Sequence, residues 1–106
     1  MSTRDEILSA NERYASAFEK GGLPLKPARG FAVVTCMDAR LDPARFLGLE
    51  EGDAHVIRNA GGVVSDEVLR ALAVSHGQLG TREVLVIGHR DCAVVSDVVE
   101  HVRAGL

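Results

Sequence analysis

The sequence is short of cysteine, of basic charge and of long apolar runs, and each shortage removes a class of protein. Only Cys36 and Cys92 carry thiols, far apart in 106 residues. Two such residues cannot build a disulfide framework, and the stretch Met1 to Lys20 is polar rather than a secretion signal. Free thiols in a reducing compartment, the cytoplasm, are therefore expected. No window approaches the ~18 uninterrupted apolar residues of a membrane span, so no membrane partner is expected. Lys and Arg number 12 against 15 Asp and Glu, for a formal charge of −3. That balance offers no basic face to neutralise a phosphate backbone, which excludes nucleic acid as a partner. With three prolines and no polar or Pro-rich tract, the chain has no reason to be disordered, and it contains no internal repeat.

What is present is an ordinary globular mixture, 46% hydrophobic and 25% charged. The length suits one domain, since domains usually run ~100–150 residues. Folding would hide roughly two-thirds of the unfolded surface, enough for a modest core. Thr3-Arg4-Asp5-Glu6 has capping-box spacing, and Ile7, Tyr14 and Phe18 recur near helical period before Gly21-Gly22. This predicts an amphipathic helix over 3–20, in an N-terminal arm of residues 1–22. Pro24 and Pro27 then hold a connector extended.

From Phe31 the period changes. Phe31 to Thr35 is a short, almost wholly apolar run, as expected of a strand covered on both faces of a parallel sheet. Similar runs follow at Ala54 to Arg58 and Glu83 to Ile87. Asp42-Pro43 opens a short helix that Gly48 closes, and Ser65-Asp66-Glu67 opens another whose apolar side carries Val68, Leu69, Leu72 and Leu79. A last helix is expected from Ala93 to about Ala104. The alternation predicts an α/β fold: a parallel sheet with right-handed crossovers and helices on both faces. Three strands leave two bare edges, which association must cover, so a homodimer or larger homo-oligomer is expected.

In open α/β sheets, sites lie beyond the carboxyl ends of the strands. Three segments meet there: Cys36-Met37-Asp38-Ala39-Arg40, Asn59-Ala60-Gly61-Gly62 and Gly88-His89-Arg90-Asp91-Cys92. Cys36, His89 and Cys92 make a plausible Cys₂His zinc set, with a fourth position left for water, substrate or a carboxylate. Singly, each residue has a plainer reading: cysteine as a small buried hydrophobe, Asp38 as a turn former, Arg40 as a solvated charge. Their joint placement at one sheet edge favours the site. A redox pair of the two cysteines is disfavoured because there is no C-x-x-C. His55, His76 and His101 read as structural or solvated, and Arg90 and Asp91 as loop-fixing or solvated.

The stretch Val33 to Cys92 resembles the β-class carbonic anhydrases. The family pattern of C-x-D-x-R after the first strand and H-x-x-C after the third stands here as Cys36-Met37-Asp38-Ala39-Arg40 and His89-Arg90-Asp91-Cys92, and Ile57 to Gly62 matches the segment lining the family's active site. The resemblance runs from Phe31 to about Glu100. It implies zinc held by Cys36, His89 and Cys92, a catalytic pair of Asp38 and Arg40, and a substrate pocket at Asn59, Ala60, Gly61 and Gly62. The implied reaction is reversible hydration of carbon dioxide to bicarbonate by zinc-bound hydroxide. In some members the counterpart of Asp38 fills the fourth zinc position at rest. Hydrolysis of carbonyl sulfide or carbon disulfide is the alternative within the family, and a zinc-binding remnant without turnover the alternative outside catalysis. Two departures are visible: Ala93 stands where the family usually has Gly, and the family's C-terminal extension is expected to be absent. Without Trp, the bicarbonate-regulatory pocket of some members is not expected.

Overall fold

The computed structural model describes residues 1–92. The helix expected from Ala93 onward, with His101, lies outside the described residues. Helix α1, Thr3–Ala17, is followed by strand β1, Phe31–Cys36, and the short helix α2, Pro43–Leu47. Strand β2, Ala54–Asn59, runs into a 3-10 turn at Ala60–Gly62, then helix α3, Asp66–Gly77, and strand β3, Glu83–Ile87. The strands form one parallel sheet in the order β2-β1-β3.

The central place of β1 follows from its composition. Ala32, Val33, Val34 and Thr35 are fully buried and Cys36 nearly so. The Thr35 hydroxyl would be costly there unpaired; it donates to the Ile87 carbonyl at 2.9 Å and so stitches β1 to β3. The flanking strands differ from expectation. β3 was expected to be covered on both faces, yet Val84, Leu85 and Val86 are all exposed, because among the described residues nothing packs over either of its faces.

α3 is the helix that packs on β1 and β2. Ser65 caps it, accepting from the Val68 N–H at 3.4 Å, and Asp66 and Glu67 complement the helix dipole in the first turn. Its buried stripe is narrower than the apolar spacing suggested: Val68 is 4% exposed and Leu69 is 54% exposed, while Leu79 lies beyond the helix end. The stripe is completed by Ser75, whose buried hydroxyl joins His55 Nδ1 at 2.6 Å and the buried Thr81 hydroxyl at 2.8 Å. His76 Nδ1 donates to the Thr81 carbonyl at 2.6 Å. His55 and His76 thus tie α3 to β2 and to the approach to β3.

α1 is three residues shorter than expected. Ser2 rather than Thr3 caps it, accepting from Asp5 N–H at 3.1 Å, and the chain turns extended at Phe18 (φ −72°, ψ 124°). Leaving the helix there lets Lys20 reach Glu50 at 3.1 Å and Glu51 at 2.8 Å, an exchange of one helical turn for two exposed ion pairs. No α1 residue is buried, and Ile7, Leu8 and Tyr14 stand exposed. No helix among the described residues is long and apolar enough to cross a membrane.

The phase of α3 can be checked directly. Val68→Ala is expected to lower the unfolding free energy by about 2 kcal/mol, as for other buried truncations. Leu69→Ala should change it by less than ~0.5 kcal/mol. Urea unfolding followed by circular dichroism makes the comparison; equal losses would mean that the helix presents a different face.

Candidate metal centre

Parallel register delivers the three strand exits side by side. Cys36 ends β1 opposite Asn59 of β2, and Thr35 pairs with Ile87, the last residue of β3. One glycine beyond Ile87 stands His89, and a tight turn returns Cys92 to the same place. Asp91 makes that turn with φ +55°, the one non-glycine residue with positive φ among those described. The ligand atoms of Cys36, His89 and Cys92 lie within 4.8 Å of one another, and the two sulfurs are 3.8 Å apart.

The imidazole is oriented by its own chain. His89 Nδ1 lies 2.9 Å from the Arg90 carbonyl, which can only accept, so Nδ1 carries the proton and Nε2 of the neutral ring keeps a lone pair. Nε2 is buried and has no hydrogen-bond partner. A bare nitrogen lone pair facing two thiols is the donor set of a soft, four-coordinate cation such as zinc, and the buried orphan is what such an ion would satisfy.

Electrostatics favour deprotonated sulfur. The Cys36 thiol is lowered to about 7, first by His89 and then by the N–H groups of Asp38 and Gly61 and the Cys92 thiol, although burial works against it. Reciprocally, Cys36 raises His89. Asp38 is held well below the usual carboxylate range by the Arg40 side chain and then by the Arg40 backbone N–H. The pairing is two-pronged: Arg40 Nε reaches Asp38 Oδ1 at 3.0 Å and Nη2 reaches Oδ2 at 2.7 Å, with Arg40 N–H on Oδ1 at 2.8 Å. Arg40 Nη2 also donates to the Asp91 carbonyl at 3.1 Å, joining the first and third segments. Asp38 Oδ2 is 3.9 Å from His89 Nε2. The carboxylate thus sits beside the donor set, engaged by Arg40 and not part of the cluster itself.

The second segment shapes the floor. The Asn59 side chain bridges Val63 in both directions, donating to its carbonyl at 2.7 Å and accepting its N–H at 2.9 Å, so its amide is spent on closing the turn. Ala60 is exposed in that turn. Gly61 and Gly62 have φ of +86° and +63°. A Cβ on Gly62 would stand 3.0 Å from Cys36 N, so the space this glycine leaves is filled by the β1 backbone. Sequence reasoning placed Arg58 in the matched segment Ile57 to Gly62 without giving it a role; it directs its guanidinium at the Cys36, Asp38 and Leu41 carbonyls. Sequence reasoning passed over the carbonyls of Arg90 and Asp91. Arg58 had a signal, an arginine at the end of a short apolar run; backbone acceptors have none.

The family profile described as carbonic anhydrase matches residues 31–105, a span that includes both motifs and every residue of this centre. The chain belongs to the β-carbonic anhydrase family. It is 53% identical over 96 residues to β-carbonic anhydrase 1 of Mycobacterium tuberculosis, covering 91% of this chain and 58% of that relative. A carbon disulfide hydrolase of Saccharolobus solfataricus is 36% identical over 91 residues, covering 86% of this chain and 43% of that enzyme. Among solved structures, a carbonic anhydrase from Glaciozyma antarctica superposes with a TM-score of 0.82 at 46% identity, covering 100% of this chain and 66% of that one. The chain therefore spans about half the length of the curated relatives it matches, and the β-carbonic anhydrase fold is reproduced over that span.

The turn between the two third-segment donors carries a testable strain. An L-residue in the left-handed region costs ~1–2 kcal/mol, least for Asp and Asn and most for β-branched residues, whereas achiral Gly enters it freely. Asp91→Gly is expected to keep stability within ~1 kcal/mol of the parent. Asp91→Val should lose at least about 1 kcal/mol and shift the carbonyl that Arg40 uses. Thermal unfolding of both variants checks this; an equally stable valine variant would contradict the strained turn.

Proposed function

We propose that this chain carries the zinc centre of an enzyme that interconverts carbon dioxide and bicarbonate, with Cys36, His89 and Cys92 as the metal ligands. The observation that carries the reading is the buried, unpartnered His89 Nε2 facing two thiols beside a fixed carboxylate. Zinc held by such a set acts as a Lewis acid that brings the pKa of water down toward ~7. The chain's own residues supply the rest. Asp38 is the catalytic carboxylate: it would accept a hydrogen bond from the attacking water once that water has lost one proton to bulk solvent, so that a lone pair of the resulting hydroxide points at carbon. Arg40 occupies the outer side of Asp38, keeps it ionised and fixes its angle. A carboxylate so firmly paired is a poor proton acceptor, so its part is orientation. The turn Asn59-Ala60-Gly61-Gly62 forms the floor against which a small neutral substrate would sit.

Carbon disulfide is the second candidate substrate, favoured by the hydrolase relative that shares 36% identity. A zinc-holding chain without turnover is the third outcome. Reduced thiols are required throughout, which suits a reducing compartment such as the cytoplasm. The arm, residues 1–22, and the sheet are taken as parts of one unit.

Purified protein is expected to hold one zinc per chain, and Ala at Cys36, His89 or Cys92 to remove most of it. Asp38→Asn and Arg40→Ala should retain zinc and lose turnover by roughly 10²–10⁴. Metal analysis with stopped-flow hydration of carbon dioxide, run in parallel with carbon disulfide, separates the readings. Zinc retained in all three ligand variants refutes the centre, and wild-type rates in both dyad variants refute the role of Asp38.

The exposed α1 residues and the faces of β3, which no described residue covers, support self-association as a homodimer or larger assembly. Light scattering at micromolar concentration should show at least two chains. Deleting residues 1–22 should dissociate or aggregate the protein; a monodisperse monomer in either form would show that the arm does not join subunits.

A further inference from the structure

Arg58 is the last residue but one of β2, paired in register with Thr35. Its side chain makes three hydrogen bonds, all to main-chain oxygens of one short loop. Nε donates to the Cys36 carbonyl at 2.9 Å, and Nη2 donates to the Asp38 carbonyl at 2.8 Å and to the Leu41 carbonyl at 3.2 Å. Among the described residues it forms no ion pair. An arginine that leaves carboxylates aside and spends its fork on carbonyls is serving backbone geometry.

The loop it grips is the one that sets the dyad. Between Cys36 and Leu41 three N–H groups have these partners: Met37 N–H on the Asn59 carbonyl at 2.8 Å, Arg40 N–H on the Asp38 carboxylate, and Leu41 N–H on the Asp38 carbonyl at 3.0 Å. Those last two bonds lie inside the loop, and the Arg40 contact with the Asp91 carbonyl ties only its tip to the third segment, which leaves the Asp38 peptide free to turn against β2. The Arg58 fork closes that freedom by fixing carbonyls at both ends and in the middle against β2. We propose that Arg58 is the positioning residue of the reaction, holding the peptide plane of Asp38 so that the Asp38–Arg40 pair stands at its observed place beside His89. It touches neither ligand atoms nor substrate and acts through the Asp38 main chain. Arginine is required because Nε and Nη2 present parallel N–H bonds along one edge, whereas lysine concentrates its donors on a single atom and can serve one carbonyl well.

This inference rests on the hydration reading for its kinetic consequence, and the experiment keeps the two apart. Arg58→Lys and Arg58→Gln are made in the whole chain, alone and combined with Asp38→Asn. Amide hydrogen exchange should accelerate about tenfold or more at residues 37–41 while the β1 and β3 amides keep their protection. Zinc per chain should stay at the parent value, and kcat per zinc should fall roughly 10- to 100-fold, as for displacements of about an ångström. In the Asp38→Asn background, Arg58→Lys should cost less than about twofold, since the group it positions is already gone. Unchanged exchange at 37–41 in both variants, loss of zinc, or a kinetic loss that multiplies in full with Asp38→Asn would overturn the assignment. If the parent chain holds zinc and turns over neither substrate, the hydration reading fails, and the exchange measurement alone decides whether Arg58 positions the loop.

Discussion

Everything at this centre depends on the in-register parallel pairing of β1 with β2 and β3. In a parallel sheet all strand exits fall on one edge, whereas an antiparallel partner would send its exit to the opposite edge. Phe31 pairs with both Ala54 and Glu83, so exits at Cys36, Asn59 and Ile87 are level. From level exits, only a few residues are needed to bring two thiols and an imidazole together, and short connections hold their geometry more tightly than long ones. The arrangement demands a central strand apolar enough to be buried completely, which Ala32-Val33-Val34 supplies. It also demands crossovers, of which α3 is the larger, capped at Ser65 and anchored at its far end by the His55–Ser75–Thr81 chain of hydrogen bonds.

On that frame, two opposing effects act on Cys36. Burial disfavours a thiolate, and the residue is only 2% exposed. Yet the thiol is lowered to about 7, so its polar neighbours outweigh burial, with His89 the largest influence and the N–H groups of Asp38 and Gly61 in support. The first comes from the exit of the strand that carries Cys36 and the second from the exit of β2 beside it. Convergence therefore does more than gather ligands: it gathers the main-chain dipoles that make a buried anion tolerable. The same economy holds for Asp38, where Arg40 supplies a guanidinium and a backbone N–H from two residues away.

Much of this was legible in the residues. Phe31 to Thr35 and Glu83 to Ile87 read as strands because short, mostly apolar runs set off by Gly30, Arg82 and Gly88 have few other fates, and structure extends the first by only one residue. The donor set was legible because cysteine and histidine at predicted strand exits are uncommon without cause. Three features were not. The end of α1 at Ala17 coincides with Lys20 pairing with Glu50 and Glu51, partners about thirty residues away that no helical period encodes. The exposed faces of β3 were unreadable because Val84 to Val86 has the same composition whether covered or not. The tautomer of His89 is set by a carbonyl, a group every residue possesses and no sequence pattern advertises.

The bonds that shape the centre divide by range, and the division says what the centre depends on. Arg40 to Asp38, His89 to Arg90 and Asn59 to Val63 span at most four residues and are available to each segment before the sheet forms. Arg58 to Cys36, Arg40 to Asp91 and the contact of the two sulfurs span 22 to 56 residues and require the sheet. Local bonds fix the internal shape of each segment, and long-range bonds fix the segments to one another. None of either set involves α1 or its connector. The donor set therefore owes its geometry to β1 and its two neighbours, while the arm, with no buried residue, adds nothing to that geometry within a single chain. Loss of pairing between β1 and β3 would separate Cys36 from His89 and Cys92 at once, even with every local bond intact, because Thr35 to Ile87 is the last rung before the two segments part.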